Sequence, residues 1–274
     1  MFVEKEFNSW DDLKQFLSGL DWEWVFRGQC NYSQTLKSSI DRAFDANAES
    51  KKYYEEFAIR RLKRNPDLYK DSYEVNDKIQ AVSLLQHYGC ATRLLDFSQS
   101  QYVAAFFSLT DLKFDGAIYA INYPSLNYTS CQLLYEKFGE QNKDLIQLLK
   151  NNGNNLSDPA FFNSLINLKS PPNFAFLIQP FYLFDRITRQ SGCFLCQANI
   201  NVSFEENLIE NHNAKSPTFP PYYKLKVKKE WTNDIILDLE RMNITNSTLF
   251  PGIEGFAKSL KRQFDIYNTR IIKD

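Results

Sequence analysis

A chain of 274 residues with 43% hydrophobic and 15% aromatic residues, among them 23 Phe and 15 Tyr, has the ring and aliphatic surface to bury a large core, which excludes a disordered chain. A net charge of −1 and a pI near 6.2 remove the overall attraction on which nucleic-acid and anionic-membrane binders rely, so no nucleic-acid partner is expected beyond a local basic patch. The first residues, MFVEKEFNSWDDL, lack the apolar run of a signal peptide, and no stretch approaches about 18 consecutive apolar residues, so the expectation is a cytoplasmic protein with no membrane partner.

The elements begin with a helix over Ser9–Leu20. Ser9 and Asp12 suggest a capping box, and Trp10, Leu13, Phe16, Leu17 and Leu20 share one face. Trp22–Arg27 reads as a short strand stopped by Gly28, which puts Arg27 at a strand end beside a residue that permits close backbone approach. Lys51–Lys63 and Val75–Tyr88 read as helices, the second closed by Gly89. Ser100–Leu109 is apolar enough for a buried helix, and Gly116–Asn122 is a strand ended by Pro124.

The stretch 125–172 is helical and Asn-rich and is taken as an insertion within a single domain spanning 1–274. Strands are expected at Phe174–Gln179, Gly192–Ala198 and Tyr222–Val227. Helices are expected at Phe184–Gln190, Lys229–Met242 and Gly252–Phe264. Because helices and strands alternate without a fixed repeat, the pattern predicts an α+β fold, a mixed or largely antiparallel sheet flanked by several helices.

Five scattered cysteines, Cys30, Cys90, Cys131, Cys193 and Cys196, do not suit a secreted disulfide framework and are expected to be reduced and mostly buried. Cys193 and Cys196 form a CxxC without two further ligands at suitable spacing, and strand alternation sets them on opposite faces, so no metal site is expected. His212 falls on what reads as a polar loop. Lys224, Lys226, Lys228 and Lys229 read as a solvated sheet face rather than a phosphate-contacting strip.

Two places concentrate chemistry. Arg27, between Phe26 and Gly28, has the make-up of an anion holder, a guanidinium fork beside exposed backbone amides; the competing reading pairs it with a carboxylate in the core. The segment from Leu85 to Ser98 packs Gln86, His87, Tyr88, Thr92, Arg93, Asp96 and Ser98 around a glycine turn. So many hydrogen-bonding groups between apolar runs must be satisfied, either by a ligand or by an internal network in which Asp96 accepts from Arg93 or Thr92.

Phe26-Arg27-Gly28-Gln29, followed by Leu85-Gln86-His87-Tyr88-Gly89 and Thr92-Arg93-Leu94-Leu95-Asp96-Phe97-Ser98, then Val103-Ala104-Ala105-Phe106-Phe107, resembles the FRG-domain family. Arg186, Gln190, Gly192 and Phe194, and the run Leu249-Phe250-Pro251-Gly252-Ile253-Glu254-Gly255, fit the same pattern. Cys90-Ala91 and Phe97 depart from it. The resemblance implies membership and leaves activity open.

The order of parts is also similar to that of ADP-ribosyltransferases, which implies an ADP-ribosyltransferase-like fold with NAD as substrate. Arg27 would hold the phosphate or ribose, Ser98 would order the site, and Gln190 would stand where an acidic residue polarises the nicotinamide ribose. A Gln cannot stabilise an oxocarbenium ion, so that chemistry would need Asp96, Glu205 or Glu206 instead.

The resulting expectation is a nucleotide cleft with Arg27, His87 and Gln190 as catalytic candidates. Arg27, Gly28, Gln29, Tyr88, Thr92, Arg93, Asp96 and Ser98 are its binding candidates, in an NAD-consuming effector of bacterial or phage conflict. Two alternatives stand beside it. One is a non-catalytic module that binds a nucleotide or a protein; the other is a purely architectural role with Arg27 and Asp96 as a buried ion pair.

Overall fold

The computed structural model describes residues 1–44, 48–69, 75–139, 142–179, 185–216 and 218–271. Seven strands, β1 (Phe2–Lys5), β2 (Trp24–Gln29), β3 (Leu94–Ser98), β4 (Gly116–Asn122), β5 (Ala175–Ile178), β6 (Gly192–Gln197) and β7 (Tyr222–Val227), form one sheet in the order β1-β7-β4-β2-β3-β6-β5. Only β1 and β7 run parallel; every other neighbouring pair is antiparallel. The fold is α+β, as the pattern predicts.

Side-chain alternation divides the core between the faces of this sheet. Val25, Leu95, Phe97, Tyr119 and Leu195 face one way, onto Leu36, Phe204 and Leu208. On the other face, Trp24, Phe26, Ile118 and Leu225 pack beneath the helices Trp10–Ser18, Gln101–Ser108 and Thr232–Arg241. Beside them Leu94, Phe176, Phe194 and Cys196 pack beneath the helix Lys78–His87. The stretch read as an insertion contributes the helices Tyr123–Phe138, Lys143–Asn151 and Pro159–Ile166, whose Leu133, Leu149, Phe161 and Leu165 join that same cluster.

Local chemistry explains most boundaries. Ser9, Asp77 and Ser100 accept from backbone N–H groups of the first turn of their helices. Gly89, at φ 83°, turns the chain after Lys78–His87. Pro124 lies in the first turn of the helix that follows β4, where a missing N–H costs nothing, so it starts that helix as well as following the strand. The outer edge of β5 is covered by side chains: the N–H groups of Ala175 and Leu177 donate to Oδ1 of Asn211 and Asn127 at 2.6 and 2.9 Å.

Three expectations are corrected, and the polar segment after the glycine turn ends in a central strand, Leu94–Ser98. β2 runs through Gly28 to Gln29, so Arg27 lies inside the strand and not at its end. His212 belongs to the last turn of the helix Phe204–Asn213 and is half-buried. Of the five cysteines, only Cys193 and Cys196 are buried; Cys193 packs on one face of the sheet and Cys196 on the other. The start of the expected helix at Phe184 lies outside the described residues; its remainder is Asp185–Arg189.

Candidate functional site

The sheet opens at its centre. β2 pairs with β4 from Trp24↔Asn122 to Gln29↔Ala117, but it meets β3 at the single register pair Phe26↔Ser98. Beyond that rung the strands part, and the notch between them opens into a cleft of about 770 Å³. Its lining comes from the helix Gln101–Ser108, the segment Arg186–Gln190, the loop Ser33–Lys37 with Arg42, and the end of Lys78–His87.

Arg27 spans the notch. Its Nη1 donates to the backbone carbonyl of Asp96 at 2.7 Å, a side-chain rung where the backbone ladder has stopped. Its Nε is enclosed, with no hydrogen-bond partner among the described residues. Burial pulls the guanidinium below its ordinary pKa and the Asp96 charge acts in the opposite direction, yet an Arg stays charged under such conditions.

Gly28 has a packing role. A Cβ there would lie 1.9 Å from the carbonyl oxygen of Ala104 and 2.7 Å from the Ser108 nitrogen. The close approach its lack of side chain allows is therefore that of the helix Gln101–Ser108 onto β2. Gln29 faces the loop, with Nε2 3.5 Å from both Gln34 Oε1 and the Thr35 carbonyl.

Asp96 is exposed on β3, and its Oδ2 accepts from Gln86 Nε2 at 3.2 Å. Gln86 is itself fixed: Thr92 Oγ1 donates to Gln86 Oε1 at 2.6 Å and Ser39 Oγ at 3.2 Å. With its oxygen committed to two hydroxyls, the Gln86 amide turns its NH2 toward Asp96. Neither Arg93 nor Thr92 holds Asp96, which corrects the expected network, and the expected Arg27–Asp96 ion pair is absent because Arg27 takes the carbonyl. Asp96 is the one carboxylate lining the cleft among the described residues.

His87 lines the cleft and meets the Tyr88 ring edge-on at 4.9 Å. Burial, helped by nearby Arg186, lowers the pKa of His87, so the neutral imidazole is favoured near pH 7. Ser98 Oγ donates to the Gln190 carbonyl at 2.7 Å and accepts from the Ser100 N–H at 2.9 Å. Gln190 Nε2 donates to the Leu249 carbonyl at 3.2 Å. Both side chains border the cleft, and both tie the wall together.

Three expected binding residues lie elsewhere. Arg93 is wholly buried, with Nε 2.8 and 3.0 Å from the two Glu55 carboxylate oxygens and Nη1 3.1 Å from the Ala198 carbonyl. Thr92 is buried behind Gln86, and Tyr88 stands exposed outside the lining. Glu206 closes a capping box with Ser203, and neither it nor Glu205 reaches the cleft.

Sequence reasoning missed the cations Lys37, Arg42 and Arg186. Arg42 Nη1 donates to the Lys37 carbonyl at 2.6 Å, and the Arg186 guanidinium sits 4.6 Å over the Phe250 ring. The Arg186-x-x-x-Gln190 spacing was the available signal. Four cations thus border the cleft against one carboxylate, with Phe26, Phe107 and Phe194 as apolar lining. The lysines of β7 are paired instead: Lys224 reaches Glu4 at 3.8 Å, and Lys226 reaches Glu6 at 3.2 Å and Asp115 at 3.7 Å.

The thiols of Cys193 and Cys196 are pushed up strongly by burial. Among the described residues no three His, Cys, Asp or Glu gather into a metal-holding group, and no helix is long and apolar enough to cross a membrane.

These features define an α+β protein whose central sheet splits around a basic cleft. Residues 22–115 match the family model of the FRG domain, which spans β2, β3 and the helices between them; the chain carries an FRG domain. No curated protein and no solved structure matches the chain.

Proposed function

We propose that the cleft binds a nucleotide of the NAD type, its phosphates on the Arg27, Lys37 and Arg42 side and its rings against Phe107 and Phe194. The observation that supports this reading is the set of four cations around an aromatic-lined cleft on a chain of net charge −1. Guanidinium groups suit phosphate oxygens, and a cleft of several hundred Å³ suits a ligand of nucleotide size. NAD consumption, by hydrolysis or by ADP-ribosyl transfer in a conflict effector, is the activity this reading favours. Titration calorimetry with NAD, ADP-ribose and AMP, together with an assay for nicotinamide release, tests it. Absence of binding by all three ligands overturns it.

A second reading, a non-catalytic nucleotide-binding module, draws on the commitments of Ser98 and Gln190. Ser98 Oγ is tied to the Gln190 carbonyl and Gln190 Nε2 to the Leu249 carbonyl, so both act on the scaffold. Tight NAD binding without nicotinamide release favours this second reading.

A further inference from the structure

The Asp96 carboxylate is placed to choose among nucleotides by the charge of their base. It projects into a cleft otherwise bordered by cations, and its only side-chain partner among the described residues is the neutral amide of Gln86. Arg27, the cation that would neutralise it, is drawn to its backbone carbonyl instead. The Thr92 and Ser39 hydroxyls fix the Gln86 amide, so Oδ2 is held in place while Oδ1 takes no hydrogen bond from the described residues. An exposed acid in basic surroundings, oriented by a dedicated relay and in no ion pair among the described residues, suits a ligand that brings a positive charge into direct contact with it.

Arg42 and Arg186 line the same cleft as that carboxylate. Arg42 acts electrostatically on Arg27, Arg186 acts on His87, and the Asp96 charge reaches both Arg27 and His87. A ligand that satisfies all of these groups has anionic oxygens at its ends and a cationic centre between or beside them. Resting on the nucleotide reading above, we propose that Asp96 is a specificity-determining residue that favours a nucleotide whose base carries a fixed positive charge, a pyridinium riboside, over its uncharged reduced counterpart.

The test is calorimetric titration of the whole chain with NAD+, NADH and ADP-ribose, for wild type and for Asp96→Asn, whose side chain keeps the size and the exposed position of Asp96. Wild type is expected to bind NAD+ about fivefold more tightly than NADH, the scale of one charge contact at an exposed site. Asp96→Asn is expected to erase that preference while its affinity for NADH and ADP-ribose stays within about twofold. Equal wild-type affinity for the oxidised and reduced forms overturns the inference and leaves the nucleotide reading standing, as does an Asp96→Asn variant that keeps the preference or weakens all three ligands alike. Failure of every nucleotide to bind wild type overturns both.

Discussion

Arg27 donates from Nη1 to the backbone carbonyl of Asp96 at 2.7 Å and leaves the Asp96 carboxylate to Gln86. A Lys at this position has a single point of charge on a flexible stem and lacks the planar fork that would hold the carbonyl and the proposed phosphate in fixed directions. Arg27→Lys is therefore expected to weaken nucleotide binding by roughly tenfold or more, one contact of about 1.4 kcal/mol. The melting temperature should fall by no more than about 4 °C, the shift for ~1 kcal/mol in a domain of this size. Thermal melting and calorimetry read the two effects separately, and a large melting loss with unchanged affinity would make Arg27 architectural.

Gln190 holds the wall of the cleft. Replacing its amide by a carboxylate in Gln190→Glu sets negative charge against the Leu249 carbonyl and removes the donor of that bond. The expected cost is about 1–3 kcal/mol, that of an unpaired acceptor with repulsion beside it. Urea unfolding measures it. Nicotinamide release should not rise, and a gain in turnover would show that the acid belongs at this position after all.

The buried ion pair foreseen for Arg27 and Asp96 exists between Arg93 and Glu55. Glu55→Gln leaves the Arg93 charge enclosed with a weakened partner, and the expected loss is about 3–5 kcal/mol. The double variant Glu55→Leu with Arg93→Met removes both charges and should unfold at a higher urea concentration than the sum of the single effects implies. Additive losses would mean that the two residues do not act as a pair.

The chain has two histidines, and both are held below their ordinary pKa. Burial and Arg186 do this for His87; burial, the N-terminal ammonium and Lys215 do it for His212. Each folded pKa lies below the unfolded value of 6.5, so the unfolded chain takes up protons first. Stability is full above that value and falls as pH drops through the window from 6.5 toward the lowered folded pKa. Melting followed from pH 7.5 to 5 should show this decline, and His87→Gln should flatten part of it. A profile unchanged by that substitution would remove His87 from the linkage.

Elements with strong local signals were legible in the sequence. Gly116–Asn122 and Tyr222–Val227 were located at both ends, because each is bounded by turn or proline signals and made of residues that suit a pleated surface. β3 was hidden, because Asp96 and the flanking Thr92 and Arg93 give it the polarity of a loop. That polarity is directed into the cleft and the core and not into solvent at a turn.

In the site, Arg27, Gly28, Gln29, His87, Asp96, Ser98 and Gln190 were read together and line one cleft. Arg93 and Thr92 misled because a buried ion pair and a buried relay use the same residue types as a binding pocket. Lys37 and Arg42 carried no local signal: their place depends on how the loop after β2 folds back across the notch.

The contact of Gly28 with Ala104 and Ser108 decides which parts of the cleft can adapt. Backbone lies against backbone there, so β2 and the helix Gln101–Ser108 form one rigid jaw that a ligand cannot push aside without breaking the sheet. The loop Ser33–Lys37 is anchored by the buried Leu36 and by the Tyr119 hydroxyl, which donates to the Gln34 carbonyl at 2.9 Å, while the side chains of Ser33, Gln34, Thr35 and Lys37 are exposed. Accommodation of ligands of different size falls to those exposed side chains and not to the backbone of either wall. Those exposed side chains can change without disturbing the core, while the Phe26-Arg27-Gly28 face keeps a fixed geometry from one ligand to the next.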